Sequence, residues 1–205
     1  MDYQIEMRYY LTQLQNCFLH KNRSGLLESF HEFAVSNKAI VMDALIKVNP
    51  EESEVFWNFI ESVCDDSDDW SDFLCSEFNR LLIAAEKMKD PSPVISSLEA
   101  FHILRISDNQ NLKTEIKNII KKFIKTRNYP LKRFLVWFFS MCVKDFDATE
   151  AKLIKNLRFD NDVIVRYYAF LAYNSYKGFP ADHGISDIDK MMIDISDIYM
   201  CEPLI

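Results

Sequence analysis

Apolar residues recur at three- and four-residue steps along nearly the whole chain, the spacing that places them on one face of an α-helix. Met7, Tyr10, Leu11, Leu14, Cys17 and Phe18 predict a first helix. Leu27, Phe30, Phe33 and Ala34 predict a second after Ser24-Gly25. Val41, Ala44, Leu45 and Val48 predict a third, which Asn49-Pro50 stops, because proline is tolerated in a first turn but not in a helix interior. Val55, Phe56, Phe59, Ile60 and Val63 form the next stripe, and Trp70, Phe73, Leu74, Phe78, Leu81, Leu82 and Ala85 a longer one. Asp90-Pro91-Ser92-Pro93 breaks the chain, and 94–104 reads as helical again. Ile116, Ile119, Ile120, Phe123 and Ile124 oppose a row of lysines. Leu131, Phe134, Leu135, Phe138, Met141 and Cys142 predict the most buried helix, opened by Tyr129-Pro130. Leu153, Ile154 and Leu157 predict a short helix, and Val163, Tyr167, Phe170, Leu171 and Asn174 a longer one that Lys177-Gly178 caps. Ile188, Met191, Met192, Ile195 and Ile198 predict a last helix. No window favours period two. The pattern predicts an all-α chain of about ten helices in a single domain over residues 1–205.

Composition agrees: three glycines and six prolines in 205 residues are too few turn formers for a β-rich or loop-rich fold. Short connectors make consecutive helices antiparallel neighbours. The breaks at Pro50, Pro93, Pro130 and Asp162 lie 43, 37 and 32 residues apart, the length of a helix pair with its turns. One segment, Asp162-Val163-Ile164-Val165-Arg166-Tyr167-Tyr168-Ala169-Phe170-Leu171-Ala172, resembles the second-helix signature of HEAT repeats. Asp162 can accept from free amides at the helix start, Val165 faces the core, and Ala169 and Ala172 let a partner helix approach. In that family the Asp and Arg pair along the stack, which Asp162 and Arg166 could reproduce at i, i+4. The resemblance implies an irregular HEAT-like stack of antiparallel helix pairs, an α-solenoid.

Charge changes the picture. Thirty-one acids against twenty-four bases give −7, so phosphate backbones are not the default partner and no nucleic acid is expected. Glu51, Glu52, Glu54, Glu61, Asp65, Asp66, Asp68, Asp69 and Asp72 fall in one base-free window. Between Lys113 and Arg133 there are eight bases and one acid, so that window is +7 and the rest −14. The expected role of Lys113, Lys117, Lys121, Lys122 and Lys125 is a solvated helix face that pairs with acidic neighbours.

Candidate chemistry is sparse. Asp65-Asp66-x-x-Asp69 fits the spacing with which prenyl-diphosphate enzymes hold magnesium, but it straddles a predicted helix break at Ser67, and no second metal-binding segment follows. Ser67 capping the next helix, with Asp68 and Asp69 at its positive end, explains the same residues. His20, His31, His102 and His183 lie in no metal-protease spacing, and three isolated glycines cannot form a phosphate loop. No cofactor, metal or enzymatic activity is expected. Five cysteines without a Cys-x-x-Cys pair read as reduced thiols. The apolar run 134–143 is about half of what a bilayer needs, and the first six residues lack a leader pattern, so a cytoplasmic, membrane-free monomer is expected.

Protein binding is the function these features favour. Small, acidic, single-domain proteins of this kind resemble bacterial toxin immunity proteins by type. That implies a basic partner, a nuclease toxin domain, bound through Glu51, Glu52, Glu54, Asp65, Asp66, Asp68, Asp69 and Asp72 with Trp57 and Trp70 as apolar anchors. The alternatives are a HEAT-like adaptor joining two proteins and, more remotely, a magnesium-dependent diphosphate enzyme using Asp65 and Asp69.

Overall fold

A computed structural model of the chain describes residues 23–190, apart from 143, 145, 182 and 188, together with Tyr9 and Thr12. Among these residues there are nine α-helices, one 3-10 helix and no strand, so the chain is all-α. The helices predicted over 7–18 and 188–198 lie almost wholly outside the described residues. No described helix is long and apolar enough to cross a membrane. The chain divides into two compact units, Met1–Ile119 and Ile120–Ile205.

The first unit contains α1 (Arg23–Ser36), α2 (Lys38–Leu45), α3 (Ser53–Val63), α4 (Ser67–Lys87), α5 (Ser92–Glu99) and a 3-10 helix (Ala100–Ile106). At its centre α3 packs on α1, α5 and the 3-10 helix, while α4 packs on α5. The contacts follow from the stripe Val55, Phe56, Phe59, Ile60 and Val63, all buried. The span 94–104 differs from the prediction of one helix: α5 ends at Glu99 and the backbone tightens to 3-10. The His102 Nδ1–H donates to the Glu99 carbonyl at 2.7 Å, occupying the acceptor that an α-helix would offer to the Ile103 amide. The unit boundary falls inside α6 (Gln110–Phe123), whose Leu112, Ile116, Ile119 and Ile120 are buried as the period requires.

The second unit is built on α7 (Tyr129–Ser140), α8 (Ala148–Leu157) and α9 (Val163–Lys177). Each start carries a side-chain cap. Asn128 accepts from the Leu131 amide, Asp147 and Glu150 form a reciprocal capping box, and Asp162 accepts from the Ile164 and Val165 amides. Arg133, near the start of α7, reaches Asp162 at the start of α9. At the other end, the Phe139 ring stacks on Phe146 at 4.8 Å, and Phe146 lies 6.4 Å from Tyr176 in the last turn of α9. Both ends of α7 and α9 therefore coincide, and the two run parallel, with α8 as the return that connects them in sequence. Val165, Ala169 and Ala172 are buried as expected, and α9 packs on both other helices. Gly178 closes α9 in the left-handed region (φ 70°), with the Phe179 amide returning to the Asn174 carbonyl at 2.9 Å.

Candidate functional site

The nine acids of the 51–72 window sit on the approach to α3, on α3 itself, in the α3–α4 turn and on the first two turns of α4. Glu51, Glu52, Glu54, Asp65, Asp68, Asp69 and Asp72 are exposed, and no cation among the described residues pairs with their carboxylates. Glu61 is exposed as well. Asp66 differs: half-buried, it lies 3.1 Å from His31 Nε2, while the His31 Nδ1–H donates to the Ser62 carbonyl at 2.6 Å. His31 thus ties α1 to the α3–α4 corner, leaving Glu28 and Glu32 exposed on its own helix.

Two expectations at this corner need correction. Ser67 does not cap α4; it is the first residue inside the helix, buried, and its hydroxyl pairs with that of Ser107. Asp66 holds the cap position, but its carboxylate is turned to His31 and makes no cap hydrogen bond. Trp70 is not an exposed anchor. It is 1% exposed, with its ring edge-on to Phe59 at 5.3 Å and Phe73 at 6.3 Å, because residue 70 falls on the apolar stripe of α4 with Phe73, Leu74 and Phe78. Trp57 is half-buried. Its Nε1–H donates to the Ser96 carbonyl at 3.0 Å and its ring meets His102 at 5.3 Å, so it binds α3 to α5 and the 3-10 helix. What the corner offers a partner is therefore carboxylate, without an aromatic anchor from either tryptophan.

Among the described residues no three His, Cys, Asp or Glu side chains converge on a metal-sized position, so the Asp65, Asp66 and Asp69 carboxylates do not gather as the diphosphate reading requires. The shifted titrations do not assemble an acid–base pair either. Burial raises Glu99 and Cys64. Burial, then the charges of Glu115 and Asp72, pushes the Cys75 thiol up to about 11. At pH 8 about one Cys75 in a thousand is thiolate, so it is a poor nucleophile. Iodoacetamide at pH 8 followed by mass spectrometry should leave Cys75 unmodified until the protein is unfolded. Rapid labelling of the folded chain would show an activated thiol instead.

Half of the eight bases in the 113–133 window are consumed by structure. Lys121 pairs with buried Glu150 at 3.2 Å, Lys132 with Asp160, and Arg133 donates from Nε and Nη2 to Asp162 at 2.7–3.1 Å. Lys117, expected in the solvated row, is 6% exposed, because three residues from Ile120 its stem lies at the edge of the apolar face. Lys122, Lys125 and Arg127 remain exposed.

Asp162 and Arg166 do not pair with each other. Asp162 is taken by Arg133 from α7, and Arg166 by Asp189, with a further hydrogen bond from Arg166 Nη1 to the Asp160 carbonyl at 2.8 Å. Burial works against the Asp162 charge. The Arg133 hydrogen bonds, the Val165 and Ile164 amides and the Arg133 charge outweigh it, so its pKa lies below the ordinary aspartate value. The hydrogen bond from Arg166 lowers Asp189 in the same way. The result is a ladder of guanidinium–carboxylate pairs running from α7 through α9 to Asp189.

By sequence the first unit holds 20 acids and 11 bases, a net −9, and the second 11 acids and 13 bases, a net +2. Within the second unit Glu150, Asp160, Asp162 and Asp189 are each paired with a base, whereas seven acids of the 51–72 window in the first unit face solvent without one. No protein-family model matches the chain, and no curated protein or solved structure matches it either.

Proposed function

We propose that this chain is a non-enzymatic binding module of the cytoplasm that docks a basic protein through the acidic band of its first unit. The most specific form of the reading is an immunity protein that covers the phosphate-binding surface of a nuclease toxin domain. One observation carries it: seven carboxylates between Glu51 and Asp72 are exposed and uncompensated, three at the start of α3 and four around the α3–α4 turn. Exposed charge of one sign speeds encounter with an opposite surface and sets its orientation more than it adds affinity. The guanidinium–carboxylate ladder and the close-packing alanines of α9 support a HEAT-like stack as the scaffold. The opposed charges of the two units favour, as a second reading, an adaptor that joins two partners.

Immobilised chain, loaded with native-cell lysate at low salt and eluted with salt, should release a small basic protein whose nuclease activity the chain inhibits. Replacing Asp65, Asp68, Asp69 and Asp72 with Asn should then slow association at least about tenfold in low-salt stopped-flow while the fold persists. An unchanged association rate, or a partner that salt does not release, removes the acidic band as the docking surface.

A further inference from the structure

On the second unit, cations and aromatic rings alternate across the ends of α8 and α9. The Arg158 guanidinium lies 5.8 Å from the Phe159 ring centroid, 5.1 Å from Phe170 and 4.1 Å from Tyr173. Lys177 Nζ lies 6.0 Å from Tyr173 and 5.0 Å from Tyr176. The order along the surface is Phe159, Arg158, Tyr173, Lys177, Tyr176. Neither cation is paired with a carboxylate among the described residues, and Asp160, the acid nearest Arg158 in sequence, is held by Lys132. Phe159 is 77% exposed and Tyr176 is exposed as well.

We infer that this row binds single-stranded nucleic acid, with bases stacking on the rings and phosphates lying on Arg158 and Lys177. Three features favour that ligand over an acidic polypeptide. A phenyl ring exposed to this degree offers a face, which suits a planar base, and it is not the wall of a slot for an apolar side chain. Single surface carboxylate–cation pairs contribute little, whereas stacking on each ring adds a sequence-tolerant contact. The rings also hold the guanidinium in place, so little freedom remains to be lost when a phosphate arrives. The −7 of the whole chain does not preclude this, since the excess of acid resides in the first unit. The inference is independent of the acidic docking surface and uses none of its residues.

The test is fluorescence anisotropy of the full chain with labelled U15, dT15 and a 15-base-pair duplex. Single strands should bind with a Kd of about 1–100 µM at physiological salt and weaken about sevenfold between 50 and 200 mM salt, the slope for two neutralised phosphates. Phe159→Ala, at an exposed site where the fold tolerates truncation, should weaken binding about tenfold, and Phe159→Tyr should retain it. Tighter U15 would assign RNA and tighter dT15 DNA, and either result supports the proposal. No binding of either strand, equal binding of the duplex, insensitivity to Phe159→Ala, or displacement by polyglutamate of matched charge overturns it.

Discussion

Trp70→Ala is expected to destabilise the first unit by about 3–5 kcal/mol, a large share of the ~5–15 kcal/mol that holds a typical domain folded. The indole is 1% exposed and closes an aromatic triad in which Phe59 lies 5.3 Å from it and 6.0 Å from Phe73. The Lys38 ammonium sits 5.2 Å above the same ring and donates to the Asp69 carbonyl, so α2 is anchored to the first turn of α4 through it. Truncation removes the transfer energy of the indole and leaves a cavity that Phe59 and Phe73 fill only in part. Urea denaturation should show the loss as a lowered midpoint. A cost below about 1 kcal/mol would return Trp70 to the surface and revive it as a partner anchor.

Asp162→Ala should cost about 2–3 kcal/mol, because one carboxylate serves two roles. It caps α9 through the Ile164 and Val165 amides, worth about 1 kcal/mol. It also accepts three hydrogen bonds from Arg133, and charge-assisted bonds contribute about 1.5–3 kcal/mol, towards the lower end here because Arg133 is partly solvated. Asp162→Asn keeps an oxygen for the cap and loses the ion pair, so it should fall between the wild type and the alanine variant. The pH dependence has a definite sign. The Asp162 pKa is depressed in the folded state, so its contribution is complete above the unfolded-state value of about 4 and is lost as pH falls through the folded-state value. The stability gap between wild type and Asp162→Ala, measured by urea midpoints, should be constant from pH 5 to 7 and shrink in the acid range. A gap that stays constant below pH 3 would mean that the carboxylate charge contributes nothing.

The candidate sites differ in how far they could be read in advance. The acidic band was legible because a base-free run of nine acids has no neutraliser nearby in the chain, and seven of them do reach solvent uncompensated. Trp70 is buried where the apolar periodicity of α4 places it, with Phe73 and Leu74, and the aspartates beside it in sequence do not bring it to the surface as an anchor. The cation–aromatic row was missed altogether. Arg158 and Tyr173 are fifteen positions apart, and neither gives a signal until α8 and α9 are laid side by side.

Helix existence, the cap at Asp162 and the left-handed stop at Gly178 could all be read from the chain because each depends on residues within one or two turns. Charge pairing obeys no such limit. Asp162 lies four residues from Arg166 and 29 from Arg133, yet the bidentate pair forms with Arg133, because α7 and α9 run in register and Arg166 turns to Asp189. The same long-range packing decides which lysines neutralise an acid and which remain for a ligand. Intrachain spacing fixes the faces of a helix; only the neighbouring helix fixes what each face has left to bind.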